Sequence, residues 1–453
     1  MEFTAIVKAI SGALWDNILL VLLCCTGIYF TLRLRFVQIV KFKDSFKKVF
    51  GGFRLKGKKA GKEGMSSFQA LTTAIAAQIG TGNIAGAATA VVSGGPGAIF
   101  WMWISAFFGM ATIFSEATLA QKFKTTVHGE VTGGPVYYIK AAFKGRFGRV
   151  LAALFAVFII LALGFMGNMV QSNSISEAFD IAFGMPSWIV GVFVALLAGF
   201  IFMGGIRRIA SVTEKLVPIM ALLYIVGSLI VIGVNYQHIG QAFVSIFVGA
   251  FRPEAVLGGA AGISVKMAVR YGVSRGLFSN EAGMGSTPHA HALAKVDHPC
   301  DQGVVALMGV FLDTFVVLTL TALTFLTTGA LSSGETGSKL AQVAFSSVFG
   351  HFGDIFVALC MFFFAFSTIV GWYFFGQTNI KYLFGPKAVK IYSAAAAVCV
   401  FLGSMLKVDL VWALSDLFNG LMVIPNLLAL LALSGLVSKL YKEYQQKKVI
   451  KSD

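Results

Sequence analysis

Two glycines and an asparagine interrupt an apolar stretch of the sequence at Gly80-Thr-Gly-Asn83. Residues 64–115, which surround them, contain no Asp, Glu, Lys or Arg. Because glycine costs about 1 kcal/mol in a helix interior, two of them beside Thr81 and Asn83 favour local unwinding. Unwound backbone within a membrane persists only where it is buried in protein or lines a cavity, and its free N–H and C=O groups can bind a ligand.

The same pattern recurs at residues 275–286, with the sequence RGLFSNEAGMGS. This stretch combines a second Gly-x-Gly with polar side chains at Ser279, Asn280 and Glu281. A single break of this kind is more simply explained by close helix packing. Two breaks in corresponding parts of two halves instead favour a ligand site at the middle of the membrane.

Adjacent hydroxyl groups at Ser367 and Thr368 lie inside the apolar run 362–372. Hydroxyls in helices usually donate to a carbonyl one turn earlier. An adjacent pair can also supply oxygen ligands to a hard cation. The sequence leaves both interpretations open.

Asp313 is an isolated acidic residue in a long uncharged stretch. A carboxylate within a membrane is costly and by default indicates an ion or proton site. The alternative is a structural ion pair with a basic residue such as Arg270 or Arg275. Glu116 and Glu281 raise the same question.

Motifs for catalysis are missing from the sequence. It contains no Walker A, Gly-x-Ser-x-Gly or His-Glu-x-x-His pattern, which disfavours ATP hydrolysis and an enzyme. His289 and His291 are close together, but a metal site there would need a third ligand.

The elements that carry these residues are predicted to be transmembrane helices. Hydrophobic residues make up 57% of the chain and charged residues 12%, whereas soluble domains carry about 25% charged residues. The long, continuous apolar runs disfavour a β-barrel, whose strands alternate in polarity. The sequence predicts an all-α polytopic membrane protein with eleven spans, at residues 17–36, 66–92, 97–121, 150–178, 187–206, 212–234, 256–287, 302–328, 353–380, 388–406 and 410–437.

The basic residues predict the orientation of these spans. Of 36 Lys and Arg residues, 29 fall in the C-terminal tail, in segments after odd-numbered spans or within a few residues of the ends of those segments, 4 fall on the opposite side, and 3 lie within span seven. The positive-inside rule therefore places the chain in the cell membrane with its N-terminus outside and its C-terminus in the cytoplasm. The net charge of +16 is explained by cytoplasmic loops that attract anionic lipids, and nucleic-acid binding is not expected.

Six segments follow from this topology. They are an extra N-terminal helix (1–36), a basic cytoplasmic segment (37–65), a first five-helix repeat (66–234), an external linker (235–255), a second five-helix repeat (256–437) and a basic cytoplasmic tail (438–453). Because five is an odd number, the two repeats have opposite orientations in the membrane.

The sequence also resembles a known family. Residues 94–109, GGPGAIFWMWISAFFG, resemble the characteristic stretch of the alanine or glycine:cation symporter family, and residues 78–83 and 276–286 resemble that family as well. The resemblance covers essentially the whole chain and is strongest to archaeal members. It implies a LeuT-type 5+5 inverted repeat built from spans 2–11, plus one N-terminal helix.

The resemblance also implies roles for individual residues. The N–H groups of Thr81 and Gly82 would receive a substrate carboxylate, and the carbonyl of Gln78 would accept from its ammonium group. Phe165 of span 4 and Trp372 of span 9 are candidate pocket walls. The implied substrate-binding set is Gln78, Thr81, Gly82, Phe165, Phe278, Met284 and Trp372.

Two ion sites are implied in the same way. Carbonyls of Ala76 and Ile79 would hold sodium together with the hydroxyls of Ser367 and Thr368. A second ion would lie at Asn83 and Ser279, and Asp313, which is singled out by its isolated charge rather than by the resemblance, joins them as a possible site for that ion or a proton. Glu281 stands where the wider superfamily has a small hydroxyl residue, so its role stays open.

The function implied is secondary active symport of small neutral amino acids, alanine and glycine, driven by sodium through alternating access. No cofactor is implied beyond sodium as the coupling ion. Proton coupling is the main alternative. A channel is a weaker one, because the sequence has no repeated selectivity-filter loop or charged ring.

Overall fold

The computed structural model describes residues 2–51, 64–127, 129–257, 264–406 and 409–450. Twelve residues of the predicted basic segment (52–63), the start of predicted span seven (258–263) and the end of the tail (451–453) lie outside the described residues. The described chain is almost entirely helical. One short antiparallel hairpin, β1 (Thr125–Val127) with β2 (Glu130–Thr132), interrupts the helices.

The helices of the first half follow the predicted order of spans. They are α1 (Phe3–Arg33), α2 (Val37–Val40), α3 (Phe42–Phe50), α4 (Ser67–Gln78), α5 (Gly82–Gly94), α6 (Ala98–Lys122), α7 (Pro135–Ala142), α8 (Gly145–Phe183), α9 (Ser187–Met203), α10 (Gly205–Val234) and α11 (Ile239–Gly249).

The second half continues with α12 (Pro253–Leu257), α13 (Val265–Asn280), α14 (Pro288–Ala292), α15 (Pro299–Thr328), α16 (Gly337–Phe349), α17 (His351–Phe384), α18 (Ala388–Met405), α19 (Asp409–Ala432) and α20 (Ser434–Ile450).

Eight of the described helices are long and apolar enough to cross a membrane, and α4 with α5 makes a ninth if the bent pair is one span. The shorter apolar helix α9 and the broken segment α13–α14 lie where the sequence predicts the remaining two spans. The count of eleven thus stays a prediction. The first helix begins well before the predicted start at residue 17, because neither Lys8 nor Asp16 breaks a helix.

Helix α4 begins and ends for local reasons. Ser66 caps it through a capping box, in which the Ser66 hydroxyl accepts from the Gln69 N–H and the Gln69 side chain accepts from the Ser66 N–H. It ends at Gln78, because the backbone of the next residue, Ile79, is extended. The Asn83 side-chain oxygen then accepts from the Gly80 N–H at 3.0 Å. This bond replaces a helical bond across the break, where α4 and α5 bend by 49°.

The second break lies between α13 and α14. Helix α13 ends at Asn280, and the next residue, its C-cap Glu281, has a left-handed φ of 56°. Gly283 and Gly285 follow with φ values of 85° and 82°, a region that only glycine enters without strain. Pro288 starts α14 at a position where its missing N–H is tolerated. The Gly-x-Gly is therefore required by the backbone path of this loop.

The two breaks contact each other in the interior of the molecule. The Gln78 amide nitrogen donates to the Asn280 carbonyl at 2.7 Å, which joins the end of α4 to the end of α13. Helices α6, α8, α15 and α17 pack around the breaks. This arrangement places the polar residues of both breaks in one buried region.

Candidate substrate and ion sites

The hydroxyls of α17 meet the end of α4. The Thr368 hydroxyl donates to the Ala76 carbonyl at 2.9 Å and lies 3.4 Å from the Ile79 carbonyl. The Ser367 hydroxyl lies 3.3 Å from the Ala76 carbonyl. The structure thus brings together all four residues predicted for sodium, on two elements far apart in sequence.

The alternative role of these hydroxyls is also visible. Both lie within hydrogen-bond distance of the Phe364 carbonyl one turn earlier, Ser367 at 2.9 Å and Thr368 at 3.0 Å. Bonding within the helix therefore does not exclude the contacts to α4. A hydroxyl has two acceptor lone pairs besides its proton, so its oxygen can still face a cation.

Asp313 is the centre of a second buried polar cluster. Its carboxylate accepts from the Asn83 amide at 2.7 Å and from the Ser279 hydroxyl at 2.9 Å. The neighbouring Thr314 hydroxyl donates to the other carboxylate oxygen at 2.8 Å. The cluster joins α5, α13 and α15, and it contains all three residues predicted for a second ion or a proton.

The alternative ion pair of Asp313 with Arg270 or Arg275 is wrong. Arg270 pairs with Asp16 at 2.5 Å, and Arg275 lies 3.9 Å from Asp416. Both arginines instead line a cavity whose wall also includes Lys8 and Trp15 of α1.

The predicted carboxylate-binding backbone lies at the start of α5. The Thr81 N–H donates to the side-chain oxygen of Gln171 at 3.2 Å. Two buried polar atoms here, the Gln78 oxygen and the Thr81 hydroxyl, have no hydrogen-bond partner among the described residues. Buried polar atoms without partners are rare and call for a ligand, a water or strain. Gln171, from α8, is not among the residues predicted from the sequence.

The predicted pocket walls are only partly assembled. The Phe278 and Trp372 rings meet edge to face with centroids 6.4 Å apart. Phe165 packs against Tyr392 instead, with centroids 5.5 Å apart. Met284 is buried within the second break. Trp412 of α19, which was also not predicted from the sequence, packs on Phe278 with ring centroids 6.4 Å apart.

Two cavities approach this region from opposite ends. One, of about 1100 Å³, is lined by residues including Gly82, Phe278 and Trp412. The other, of about 1070 Å³, is lined by residues including Gln69, His289 and Lys381. Within the described part of the chain the two cavities share no lining residue. Only the first therefore reaches residues predicted to bind substrate.

Glu116, on α6, holds the second break in place. Its carboxylate accepts from the Gly283 N–H at 3.0 Å and the Gly285 N–H at 2.9 Å. The Asn426 amide donates to it at 2.7 Å. These bonds satisfy backbone donors that the unwound loop leaves free, so Glu116 shapes the loop from outside the ion clusters.

The imidazoles near the second break have hydrogen-bond partners. His289 contacts the Ser286 carbonyl at 2.7 Å and Asn379 at 2.9 Å, and His291 contacts Gln302 at 2.9 Å. Among the residues that the structure describes, no group of three or more His, Cys, Asp or Glu could hold a metal ion.

Solved structures with the same architecture are transporters. The chain superposes on MhsT in complex with L-phenylalanine with a TM-score of 0.60, at 14% identity, over 84% of this chain and 98% of that one. It also superposes on the Eremococcus coleocola manganese transporter with a TM-score of 0.51, at 15% identity, over 82% and 79% of the two chains. These similarities show the LeuT-type fold.

Sequence relatives cover the whole length. The chain is 42% identical to the sodium/alanine symporter AgcS of Methanococcus maripaludis, over 98% of each protein. It is 41% identical to the probable sodium/glutamine symporter GlnT of Bacillus subtilis, over 98% of this chain and 91% of that protein. A family model described as the sodium:alanine symporter family matches residues 1–453. The chain therefore belongs to the sodium:alanine symporter family and is a multi-pass membrane transporter, not an enzyme.

Proposed function

We propose that the protein imports alanine and glycine across the cell membrane by alternating access, with each turnover driven by sodium entry. The observation that carries the proposal is the convergence of the Thr368 hydroxyl with the Ala76 and Ile79 carbonyls. The broken helix frees those carbonyls, and the hydroxyl belongs to a helix from the other half of the chain. An ion bound between them would hold the two halves in one arrangement.

The chemistry of this oxygen set suits sodium. Its donors are carbonyls and hydroxyls, the hard oxygen ligands that alkali and alkaline-earth cations prefer over soft sulfur ligands. The set contains no carboxylate, so a divalent cation would lack compensating charge. Each sodium that moves inward through a potential of 100 mV releases about 2.3 kcal/mol, which can drive accumulation of a neutral amino acid.

The substrate region suits a small zwitterion. The Thr81 and Gly82 N–H groups begin α5, where a helix N-terminus favours a carboxylate. Gln171 already occupies the Thr81 N–H, so its amide either yields to the substrate or binds beside it. The Phe278 and Trp372 rings, which meet edge to face, would act as walls that limit the space for a side chain, which favours alanine and glycine.

Asp313 supports a second coupling site. Its carboxylate lies in the membrane and receives three hydrogen bonds, two of them from residues of the two breaks. A second sodium beside the carboxylate is the primary assignment. The alternative, proton coupling at the same carboxylate, makes transport depend on pH instead of on a second sodium.

The two separate cavities favour alternating access over a channel. The lining of the cavity that reaches Gly82 includes residues from segments predicted outside, such as Lys8, Thr336 and Asp409. The other cavity is lined by residues from predicted cytoplasmic segments, such as Arg207 and Lys381. This grouping supports the predicted division of the loops between two sides of the membrane, and with the N-terminus outside it makes the arrangement outward-facing. The basic cytoplasmic face would bind anionic lipids.

The segments 66–234 and 256–437 are proposed as the two inverted repeats. Each contains one break, and the breaks meet at the Gln78–Asn280 hydrogen bond. Rocking of one helix group against the other around these fixed contacts would expose the site to each side in turn. The N-terminal segment 1–36, the linker 235–255 and the basic segments 37–65 and 438–453 lie outside this repeat.

Uptake of radiolabelled L-alanine into proteoliposomes tests the proposal. Separate arms impose an inward sodium gradient, an inward proton gradient, or neither. We expect saturable uptake that requires sodium, with unlabelled glycine competing. Uptake driven by protons alone would reject sodium coupling, and uptake that does not saturate would reject a transporter mechanism.

A further inference from the structure

Glu281 is a buried carboxylate that neither ion cluster nor the substrate backbone uses. It is 1% exposed and lies at the start of the second break. One carboxylate oxygen accepts from the Trp372 indole N–H at 2.5 Å. The other accepts from the Ser286 hydroxyl at 2.6 Å. Both oxygens are therefore engaged, one by the same loop and one by helix α17.

The backbone of Glu281 is held in an unfavourable conformation. Its φ of 56° is left-handed, which costs a residue with a Cβ roughly 1–2 kcal/mol. The Glu281 N–H bonds to the Leu277 carbonyl at 2.9 Å, and its carbonyl accepts from the Met284 N–H at 3.1 Å. Strain of this kind persists only where the surroundings fix it and often marks a functional position.

The Trp372 ring fills a narrow space between two other elements. A methyl group added at Gly167 of α8 would come within 2.5 Å of the ring. On its other side the ring meets Phe278 of α13 edge to face. The indole N–H is the only polar group of this side chain. Its bond to Glu281 therefore sets the rotation of the ring within this space.

We propose that Glu281 is a positioning residue that fixes Trp372 as the wall limiting the size of the transported side chain. The proposal rests on the proposed function, since it assigns specificity to the same substrate pocket. A fixed ring rejects larger amino acids because they would have to displace it against its hydrogen bond to Glu281. Without Glu281 the ring can rotate, and the pocket accepts longer side chains.

The test compares four variants by competition against alanine uptake. Glu281→Ser removes the acceptor, and Trp372→Phe removes the N–H and part of the ring. Glu281→Gln keeps an oxygen acceptor for the indole and a group that can bond to Ser286. Trp103→Phe is the matched control. The Trp103 indole N–H also donates a hydrogen bond, to the Thr319 hydroxyl at 2.8 Å, but Trp103 is not among the residues predicted to bind substrate.

For each variant, sodium-driven alanine uptake is measured with increasing serine, valine and leucine. We expect Glu281→Ser and Trp372→Phe to lower the inhibitory concentration of leucine relative to the alanine KM by roughly tenfold, within the range that a hydrophobic wall can discriminate. Glu281→Gln and Trp103→Phe should keep the wild-type ratio. An unchanged ratio in Glu281→Ser, or an equal change in Glu281→Gln, would overturn the proposal.

A spectroscopic measurement keeps the inference testable without transport. Protein labelled with 5-fluorotryptophan carries a ¹⁹F label at each of its six tryptophans. The resonance that disappears in Trp372→Phe is thereby assigned to Trp372. We expect this resonance to move or broaden in Glu281→Ser and to stay near its wild-type position in Glu281→Gln. A resonance unaffected by Glu281→Ser would refute the positioning role. Failure of the wild type to transport alanine would instead reject the proposed function, so the two failures are distinguishable.

Discussion

The proposed sodium coupling depends on one side-chain group, the Thr368 hydroxyl. It contacts two carbonyls released by the break after α4, and it also bonds within its own helix. Replacement of this hydroxyl by a methyl group separates the two roles. Valine keeps the size and the β-branch and removes only the oxygen.

Thr368→Val should weaken the apparent sodium affinity for alanine uptake by roughly tenfold, which corresponds to about 1.4 kcal/mol. Maximal uptake at saturating sodium should fall less. The measurement is the sodium dependence of initial uptake rates. Thr324→Val is the matched control, because Thr324 is equally buried and its hydroxyl donates to the Leu320 carbonyl of its own helix. Equal sodium affinity in both variants would remove Thr368 from the site.

Asp313→Asn should reduce sodium-driven alanine uptake by about tenfold or more, because it removes the charge that would balance a second cation. The amide can keep hydrogen bonds to its neighbours, so the fold should survive. The steepness of the sodium dependence should also fall. Asp354→Asn is the control, since Asp354 likewise accepts from a serine hydroxyl, Ser346, at 2.7 Å. If Asp313→Asn kept the sodium dependence of uptake but lost a pH dependence seen in the wild type, Asp313 would carry a proton rather than bind a second sodium.

Much of the candidate site can be predicted from residue types alone. Gly-x-Gly, Asn83 and the Ser367–Thr368 pair stand out because they are unusual in apolar helices. Gln171 and Trp412 could not be found in this way. Polar and aromatic residues are common near the ends and faces of such helices, and only packing shows which of them reach the breaks.

At the scale of elements, the second break depends on support from a different helix. Glu116 accepts from the Gly283 and Gly285 N–H groups and from Asn426. Asn426 in turn donates to the Gly283 carbonyl at 2.9 Å. The loop between α13 and α14 thus has its shape imposed by α6 and α19.

Glu116→Ala should destabilise the protein, because it leaves buried donors unpaired at a cost of about 1–3 kcal/mol for each. Glu116→Gln keeps one acceptor oxygen and should lie between the wild type and Glu116→Ala. Thermal unfolding in detergent measures the effect. Ser115→Ala, which removes a hydroxyl that bonds within α6 to the Ala111 carbonyl, should change the Tm little. Equal Tm values for Glu116→Ala and Ser115→Ala would contradict this role.

The positions of the long apolar helices could be predicted from the sequence, whereas the short helices between them and the contacts between helices could not. The predicted spans 97–121 and 353–380 lie within or close to α6 (Ala98–Lys122) and α17 (His351–Phe384), because continuous hydrophobicity marks both. The helices Ile239–Gly249 and Gly337–Phe349 were not foreseen between spans. The hydrogen-bond partners of Glu116 could not be predicted from the sequence either, since Gly283 lies 167 residues away along the chain.

For the whole molecule, the distribution of basic residues predicts which side each loop faces. In a cysteine-free background, a cysteine at Glu335 should react with a membrane-impermeant maleimide added outside intact cells. A cysteine at Lys381 should react only after permeabilisation. Labelling accessibility on both sides measures the orientation. Reaction of the Lys381 site in intact cells would contradict the N-out, C-in topology.

If alanine transport is obligatorily coupled to sodium, the direction of net alanine flux must follow the sodium gradient. Proteoliposomes are loaded with equal alanine on both sides, the membrane potential is clamped at zero, and only the sodium gradient is varied. We predict net alanine entry when sodium is higher outside and net alanine exit when sodium is higher inside. Net alanine movement that stays at zero under both sodium gradients would contradict it.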